Sequence, residues 1–88
     1  MNTQETPEAL AFFKASQRVM EVLWERWQDE GRYEDINEYA KPLQPIANKA
    51  GVKIVKMTKR PFGCIFAVGE KQFALTCNSR AYEYKRIK

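Results

Sequence analysis

The sequence predicts an α+β fold, in which a long N-terminal helix and a proline-kinked second helix pack on one face of a three- or four-stranded antiparallel β-meander. Apolar residues recur at helical spacing in the first half of the chain. In the second half, turn residues separate short apolar or alternating runs, which is typical of strands. The 88 residues are expected to form one domain, with a flexible N-terminus at 1–6, a helical part at 7–50 and a basic β-meander at 52–88.

The first helix is predicted to begin at Thr6-Pro7-Glu8 and to run to about Glu30. Threonine can cap early N–H groups, proline is tolerated at the first helical position, and glutamate complements the helix dipole. Gly31 is expected to end the helix in a left-handed conformation. The apolar arc of this helix is wide enough to face a core. It comprises Phe12, Phe13, Val19, Met20, Leu23, Trp24 and Trp27.

Two tryptophans on this arc, Trp24 and Trp27, allow two interpretations. Large aromatic side chains in a small domain ordinarily fill the core, here against the sheet. If the sheet and the second helix cover only part of the arc, either tryptophan instead marks an interaction surface or a dimer seam.

The second helical segment is predicted to begin at Asp35, which has capping-box spacing to Glu38. Pro42 and Pro45 interrupt the helical hydrogen bonding, so the segment is either one kinked helix or two short helices with the same inward face. A continuous apolar stripe runs along it as far as Gly51. Its residues are Ile36, Tyr39, Ala40, Leu43, Ile46, Ala47 and Ala50.

The second hairpin of the meander is predicted from Val68-Gly69-Glu70-Lys71, which fits a type II′ turn because glycine readily adopts the positive φ of the first central position. This turn pairs Phe66 with Phe73 and Cys64 with Leu75. The register therefore places these four side chains on one face of the sheet.

The first hairpin is predicted to have a four-residue loop, Arg60-Pro61-Phe62-Gly63. Lys59 then faces Cys64, Met57 faces Phe66, and the two hairpins agree on the faces of the sheet. The predicted core face carries Val55, Met57, Cys64, Phe66, Val68, Phe73 and Leu75. The opposite face, expected to be at least half exposed, carries Ile54, Lys56, Thr58, Ile65, Ala67, Gln72, Ala74 and Thr76.

The C-terminal segment allows two structures. Asn78-Ser79 predicts a turn, and residues 81–87 alternate, with Tyr82, Tyr84 and Arg86 on one side. The aromatic content favours a fourth strand, and a short helix is the alternative.

The charge divides sharply between the two halves of the chain. Residues 1–50 hold six Lys or Arg against nine Asp or Glu, a net charge of −3. Residues 51–88 hold nine against two, a net charge of +7. A domain with an acidic helical part and a basic sheet is expected to attract polyanions on its positive side.

The residue types for common catalytic sites are scarce. The chain has no histidine, so the usual general base is missing, and its two cysteines cannot complete a tetrahedral zinc site. Cys64 and Cys77 are expected to be reduced and buried, with a disulfide as the alternative. No serine has the nucleophile-elbow pattern, and the glycines are too scattered for a phosphate-binding loop. We therefore expect no enzyme, no cofactor and no metal.

Binding to DNA or RNA through the basic sheet face and the 59–63 loop is the function that the sequence favours, because basic side chains neutralise phosphates and aromatic rings stack on bases. The predicted binding residues are Lys56, Lys59, Arg60, Phe62, Arg80, Tyr82, Tyr84 and Arg86. A solvated basic face that protects sheet edges explains the same charges without a ligand. The alternative function is a protein-interaction module, as a small regulator, inhibitor, subunit or homodimer.

The N-terminus, Met1–Pro7, lacks a basic region followed by an apolar one, and no apolar run approaches the length of a membrane span. We therefore expect a cytoplasmic protein without a membrane partner.

Overall fold

The computed structural model describes residues 6–31 and 35–88, and it confirms the α+β class. The flexible segment predicted at 1–6 lies outside the described residues except for Thr6. The helical elements are α1 (Pro7–Glu30), a 3₁₀ helix (Ile36–Leu43) and α2 (Gln44–Ala50). The strands are β1 (Lys53–Lys59), β2 (Phe62–Val68), β3 (Lys71–Cys77) and β4 (Tyr82–Arg86). They form one antiparallel sheet in the order β1-β2-β3-β4, and the helices pack on one of its faces.

Helix α1 begins as predicted but ends for a different reason. The side chain of Thr6 accepts a hydrogen bond from the backbone N–H of Ala9 at 3.2 Å, and Pro7 occupies the first turn. Gly31 has φ −59° and ψ −25°, so the predicted left-handed stop is wrong. A Cβ atom at Gly31 would overlap the indole ring of Trp27. Glycine is therefore needed here for space and not for its conformational freedom.

The proline pair divides the second helical segment into the two short helices that were one of the predicted alternatives. Asp35 caps the 3₁₀ helix by accepting from the N–H of Asn37 at 3.0 Å. Pro42 lies inside the 3₁₀ helix, and Pro45 lies in the first turn of α2, where a missing N–H costs nothing. Gly51 ends α2 with φ 81°, a left-handed conformation. The apolar stripe faces the core as predicted, with Ile36, Tyr39, Leu43 and Ala47 buried.

The β2–β3 hairpin has the predicted register, with Phe66 opposite Phe73 and Val68 opposite Lys71. Gly69 has φ 60° and Glu70 does not have a positive φ, which is the pattern of a type II′ turn. The C-terminal segment is a strand, since β4 pairs with β3 along its whole length.

The β1–β2 hairpin differs from the prediction. Its loop has two residues and not four, because β2 already begins at Phe62. The two loop residues, Arg60 and Pro61, are joined by a cis peptide bond. The true pairs are Lys59 with Phe62 and Met57 with Cys64, so the predicted partners were two residues off. A displacement of two residues preserves the alternation of side chains, which is why these residues keep their predicted faces.

A β-bulge at Val55 overturns two of the predicted face assignments. The pairing shifts between Ile54 and Lys56, so Val55 has no partner in the register. Ile54 is buried at 9% exposure, whereas Val55 is 46% exposed, the reverse of the prediction. An inserted residue exchanges the faces of the residues before it, and an apolar pair such as Ile-Val gives no sign of the insertion.

The core lies between α1 and the covered face of the sheet. The ring of Phe66 lies 4.8 Å from that of Phe12 on α1 and 5.3 Å from that of Phe73 on β3, measured between centroids. These three side chains are buried. Helix α1 is thereby fixed against the two central strands, and no helix of the described residues covers the opposite face of the sheet.

A small polar network also joins α1 to β4. The hydroxyl of the buried Ser16 lies 2.6 Å from the carbonyl oxygen of Phe12 and 2.7 Å from the hydroxyl of Tyr82. The Tyr82 hydroxyl donates to the carbonyl oxygen of Phe13 at 2.8 Å. Because these buried polar groups are satisfied, the network holds the outer strand against the helix.

Candidate nucleic-acid interface

In the part of the chain that the structure describes, the sheet has one face covered by the helices and one open face. Buried side chains alternate with partly exposed ones over residues 64–67 of β2 and 72–77 of β3, and the partly exposed set points away from the helices. The strand register extends this set across all four strands. The open face consists of Lys53, Lys56, Thr58, Gly63, Ile65, Ala67, Gln72, Ala74, Thr76, Glu83 and Lys85.

The central row of the open face has a lysine at each end. Lys56 on β1 pairs with Ile65, Ile65 pairs with Ala74, and Ala74 pairs with Lys85 on β4. The two lysines are exposed, and the residues between them are half-buried. Three strand spacings of about 4.8 Å place the lysine backbones roughly 14 Å apart. The row therefore consists of two apolar side chains, which we call the floor, between two positively charged side chains, which we call the rim lysines.

The neighbouring rows consist mostly of small side chains, and they add one positive and one negative charge. On one side, Lys53 pairs with Ala67, which pairs with Gln72. On the other side lie Thr58, Gly63, Thr76 and Glu83. Three lysines thus stand against one glutamate. Within the described residues, Lys53, Lys56 and Lys85 have no ion pair.

The β1–β2 turn adds two cations at the end of the sheet. Lys59 and Arg60 are exposed, and the hydroxyl of Thr58 donates to the carbonyl oxygen of Pro61 at 2.8 Å. This hydrogen bond ties the turn to the strand that carries Lys56. Arg60 therefore extends the positive surface at this end of β1, whereas Lys59 pairs with the buried Phe62 and lies on the covered side.

The predicted aromatic residues of the site lie on the covered face. Phe62 is 4% exposed, and its ring packs near those of Trp27 and Tyr39, with centroids 6.3 Å and 6.0 Å away. The ring of Phe13 on α1 lies 4.5 Å from that of Tyr82 and 4.6 Å from that of Tyr84. These rings serve the packing of the helices on the sheet, and the open face has no aromatic residue within the described chain.

The remaining predicted residues are dispersed. Arg80 is exposed in the β3–β4 turn, and Arg86 is exposed at the end of β4 on the covered side. Trp24 and Trp27 are half-buried against the core, and Trp27 meets the Tyr39 ring edge-on at 5.7 Å.

The structure brings Lys56 together with two lysines outside the predicted set, Lys53 and Lys85. Lys85 reaches this face because β4 pairs with β3. The sequence left open whether residues 81–87 form a strand, so it offered no register to place Lys85 beside the others.

The two thiols lie under the covered face and are poor nucleophiles. Cys64 and Cys77 are both free and buried. Burial raises the pKa of Cys64 to about 12. Burial, followed by the negative charge of Glu21, raises the pKa of Cys77 to about 11. Both groups are therefore protonated at neutral pH, and the reactive thiolate is disfavoured.

Comparison with known proteins found no matching family model, no similar curated protein and no similar solved structure. Within residues 6–31 and 35–88, no helix is long and apolar enough to cross a membrane. The same part of the chain has no group of three or more His, Cys, Asp or Glu side chains placed to hold a metal ion. The function must therefore be inferred from the geometry of the described residues.

Proposed function

We propose that this protein is a non-catalytic nucleic-acid-binding protein that contacts the phosphate backbone through the open face and the 59–63 hairpin. The observation that supports this most is the central row, where Lys56 and Lys85 flank Ile65 and Ala74. Lysines at both rims can each neutralise a phosphate, while a low floor between them lets the backbone of the ligand approach. Lys53 and Arg60 extend the same surface, and the exposed Lys59 flanks it at the end of β1.

The width of the open face favours phosphate contacts over reading of bases. The major groove of B-DNA is about 12 Å wide and admits a two-stranded ribbon. A sheet with rims roughly 14 Å apart is too wide to enter it. The sheet therefore lies across the backbone, and Arg60 at the narrow two-residue turn is the side chain best placed to enter a groove.

Stacking is not expected to contribute much to this binding. Proteins that prefer single strands usually present aromatic rings on which bases stack. Here the rings of Phe62, Tyr82 and Tyr84 are engaged with the helices. We therefore expect similar affinities for duplex and single-stranded ligands and little dependence on sequence, because the contacts are to phosphates.

Binding is expected to weaken steeply with salt. Contacts with three to five phosphates predict a slope of roughly −3 to −5 in a plot of log K against log salt concentration. Fluorescence anisotropy with a labelled DNA duplex and its single strand, over a series of salt concentrations, measures this slope. An absence of binding at the lowest salt, or a slope near zero, would falsify the proposal.

A protein-interaction module is the second candidate function, and a groove on the helical side favours it. The groove has a volume of about 510 Å³ and lies between α1 and α2. Its lining is mainly apolar and consists of Ala11, Ala15, Pro45, Ile46, Lys49 and Ala50. Further along α1, the side chain of Val22 is 60% exposed. A partner bound there would leave the lysines of the open face untouched, so the two functions predict different contact surfaces.

We also propose a cytoplasmic location. Two free, buried cysteines are what a reducing compartment allows, because thiols in oxidising compartments are commonly paired as disulfides.

A further inference from the structure

The two edges of the sheet differ in how readily they can pair with a further strand. Strand β1 is interrupted by the bulge at Val55, a common device that protects an edge from pairing. Strand β4 is a regular strand of five residues, Tyr82–Arg86, without proline or bulge. In the sheet of the described residues it has a neighbour on one side, β3. The regular edge is therefore the one suited to strand addition.

The hydrogen bonds at both ends of β4 fix which residues face outward. Asn78 N–H donates to the carbonyl oxygen of Ala81 at 3.0 Å, and Ile87 N–H donates to that of Gln72 at 2.9 Å. Because the backbone direction alternates along a strand, residues 81, 83, 85 and 87 bond toward β3. The backbone groups of residues 82, 84 and 86 consequently point away from β3.

The sequence of β4 is self-complementary when two copies pair antiparallel about its middle residue, position 84. Tyr82 then pairs with Arg86 of the second copy through the outward backbone groups. Glu83 lies opposite Lys85 of the second copy, and Lys85 lies opposite its Glu83, both pairs on the open face. These are non-hydrogen-bonded positions, where the Cα atoms approach to about 4.5 Å and side chains interact most closely.

Adjacent registers lack this match. Pairing about position 83 would place Glu83 opposite Glu83, and pairing about position 85 would place Lys85 opposite Lys85. Like charges directly opposite each other are destabilising. One register therefore satisfies both the outward hydrogen bonds and the charges.

We propose that two copies of this chain associate through their β4 edges, with a two-fold axis at position 84, into a continuous eight-stranded antiparallel sheet. The axis is perpendicular to the sheet, so the helices of both copies lie on one side and the two open faces join on the other. The interface is built around one short strand, so the dimer is expected to be weak and to form at micromolar to millimolar concentrations. This dimer does not depend on nucleic-acid binding, and it is tested without nucleic acid.

A charge exchange tests the register. Two copies of the variant Glu83→Lys, or of the variant Lys85→Glu, place like charges opposite each other at positions 83 and 85. Each variant alone is therefore expected to dimerise at least about tenfold more weakly than the wild type. An equimolar mixture of the two variants places opposite charges at both positions and is expected to recover the wild-type affinity as a heterodimer. The double variant Glu83→Lys with Lys85→Glu should recover it as well.

Analytical ultracentrifugation from micromolar to millimolar protein measures these affinities. Wild-type mass should rise from 10.3 kDa toward twice that value with concentration. Circular dichroism checks that each variant is folded, which is expected because both side chains are exposed. A wild type that stays monomeric at millimolar concentration overturns the proposal. So does a mixture that associates no better than either variant alone, since the Glu83–Lys85 contact would then be absent.

Discussion

Reversing the charge of both rim lysines, Lys56→Glu with Lys85→Glu, is expected to weaken binding to a DNA duplex by about 100-fold at low salt. Each substitution removes a phosphate contact and introduces a carboxylate that repels the phosphate. The salt slope should also become shallower by about 2, one for each phosphate contact that is lost. Both side chains are exposed, so the free energy of unfolding should change little. Anisotropy titrations at protein concentrations below those that favour the dimer measure the effect.

A matched control separates the location of the charges from the net charge. Lys14→Glu with Lys49→Glu changes the net charge by the same amount, and both lysines are exposed on the helical side. This control is expected to lose less than about fivefold in affinity, because the helical side carries none of the proposed contacts. Equal losses in the two double variants would show that only the overall charge matters, and the open face would then not be the site.

Replacing Gly63 by alanine is expected to destabilise the fold by about 3 kcal/mol or more. A Cβ atom at this position would overlap the carbonyl oxygen of Leu75 on the neighbouring strand. That atom belongs to the backbone of β3, so β2 and β3 must separate to make room for it. The two strands form the centre of the sheet and carry Phe66 and Phe73 of the core. Urea unfolding followed by circular dichroism measures the loss.

Gly69→Ala serves as the comparison for Gly63→Ala. At Gly69 a Cβ atom would meet nothing within 4 Å, and the cost comes from the positive φ of 60° alone. We expect a loss of about 1–2 kcal/mol there. If Gly63→Ala were no more destabilising than Gly69→Ala, the close approach of β2 and β3 at Leu75 would be contradicted.

The predictable part of the fold was the part governed by local rules. The cap at Thr6 and the turn at Gly69 are each encoded by one or two residues, and both were predicted correctly. The β1–β2 register depended on a two-residue loop and on a bulge at Val55. Both require knowledge of the partner strand, because an extra residue in one strand is defined only by the strand opposite it.

The composition of the candidate site depended on tertiary contacts. Tyr82 and Tyr84 alternate with Glu83 and Lys85 in the sequence, so a strand at this position places the two pairs on opposite faces. It does not show which face the helices cover. The rings of Phe13 and Tyr82 lie 4.5 Å apart, and this contact assigns the tyrosines to the covered face and Lys85 to the open one.

The central claim is that nucleic acid is bound by the open face of the sheet, and chemical-shift mapping by NMR tests it most directly. A ¹⁵N-labelled sample is titrated at low salt with an unlabelled DNA duplex, and the shifted backbone amides are assigned. We expect the largest shifts along the open face and the hairpin, at Lys53, Lys56, Arg60, Ile65, Ala74 and Lys85. Shifts confined to the groove between α1 and α2, or no shifts at saturating duplex, would contradict the claim.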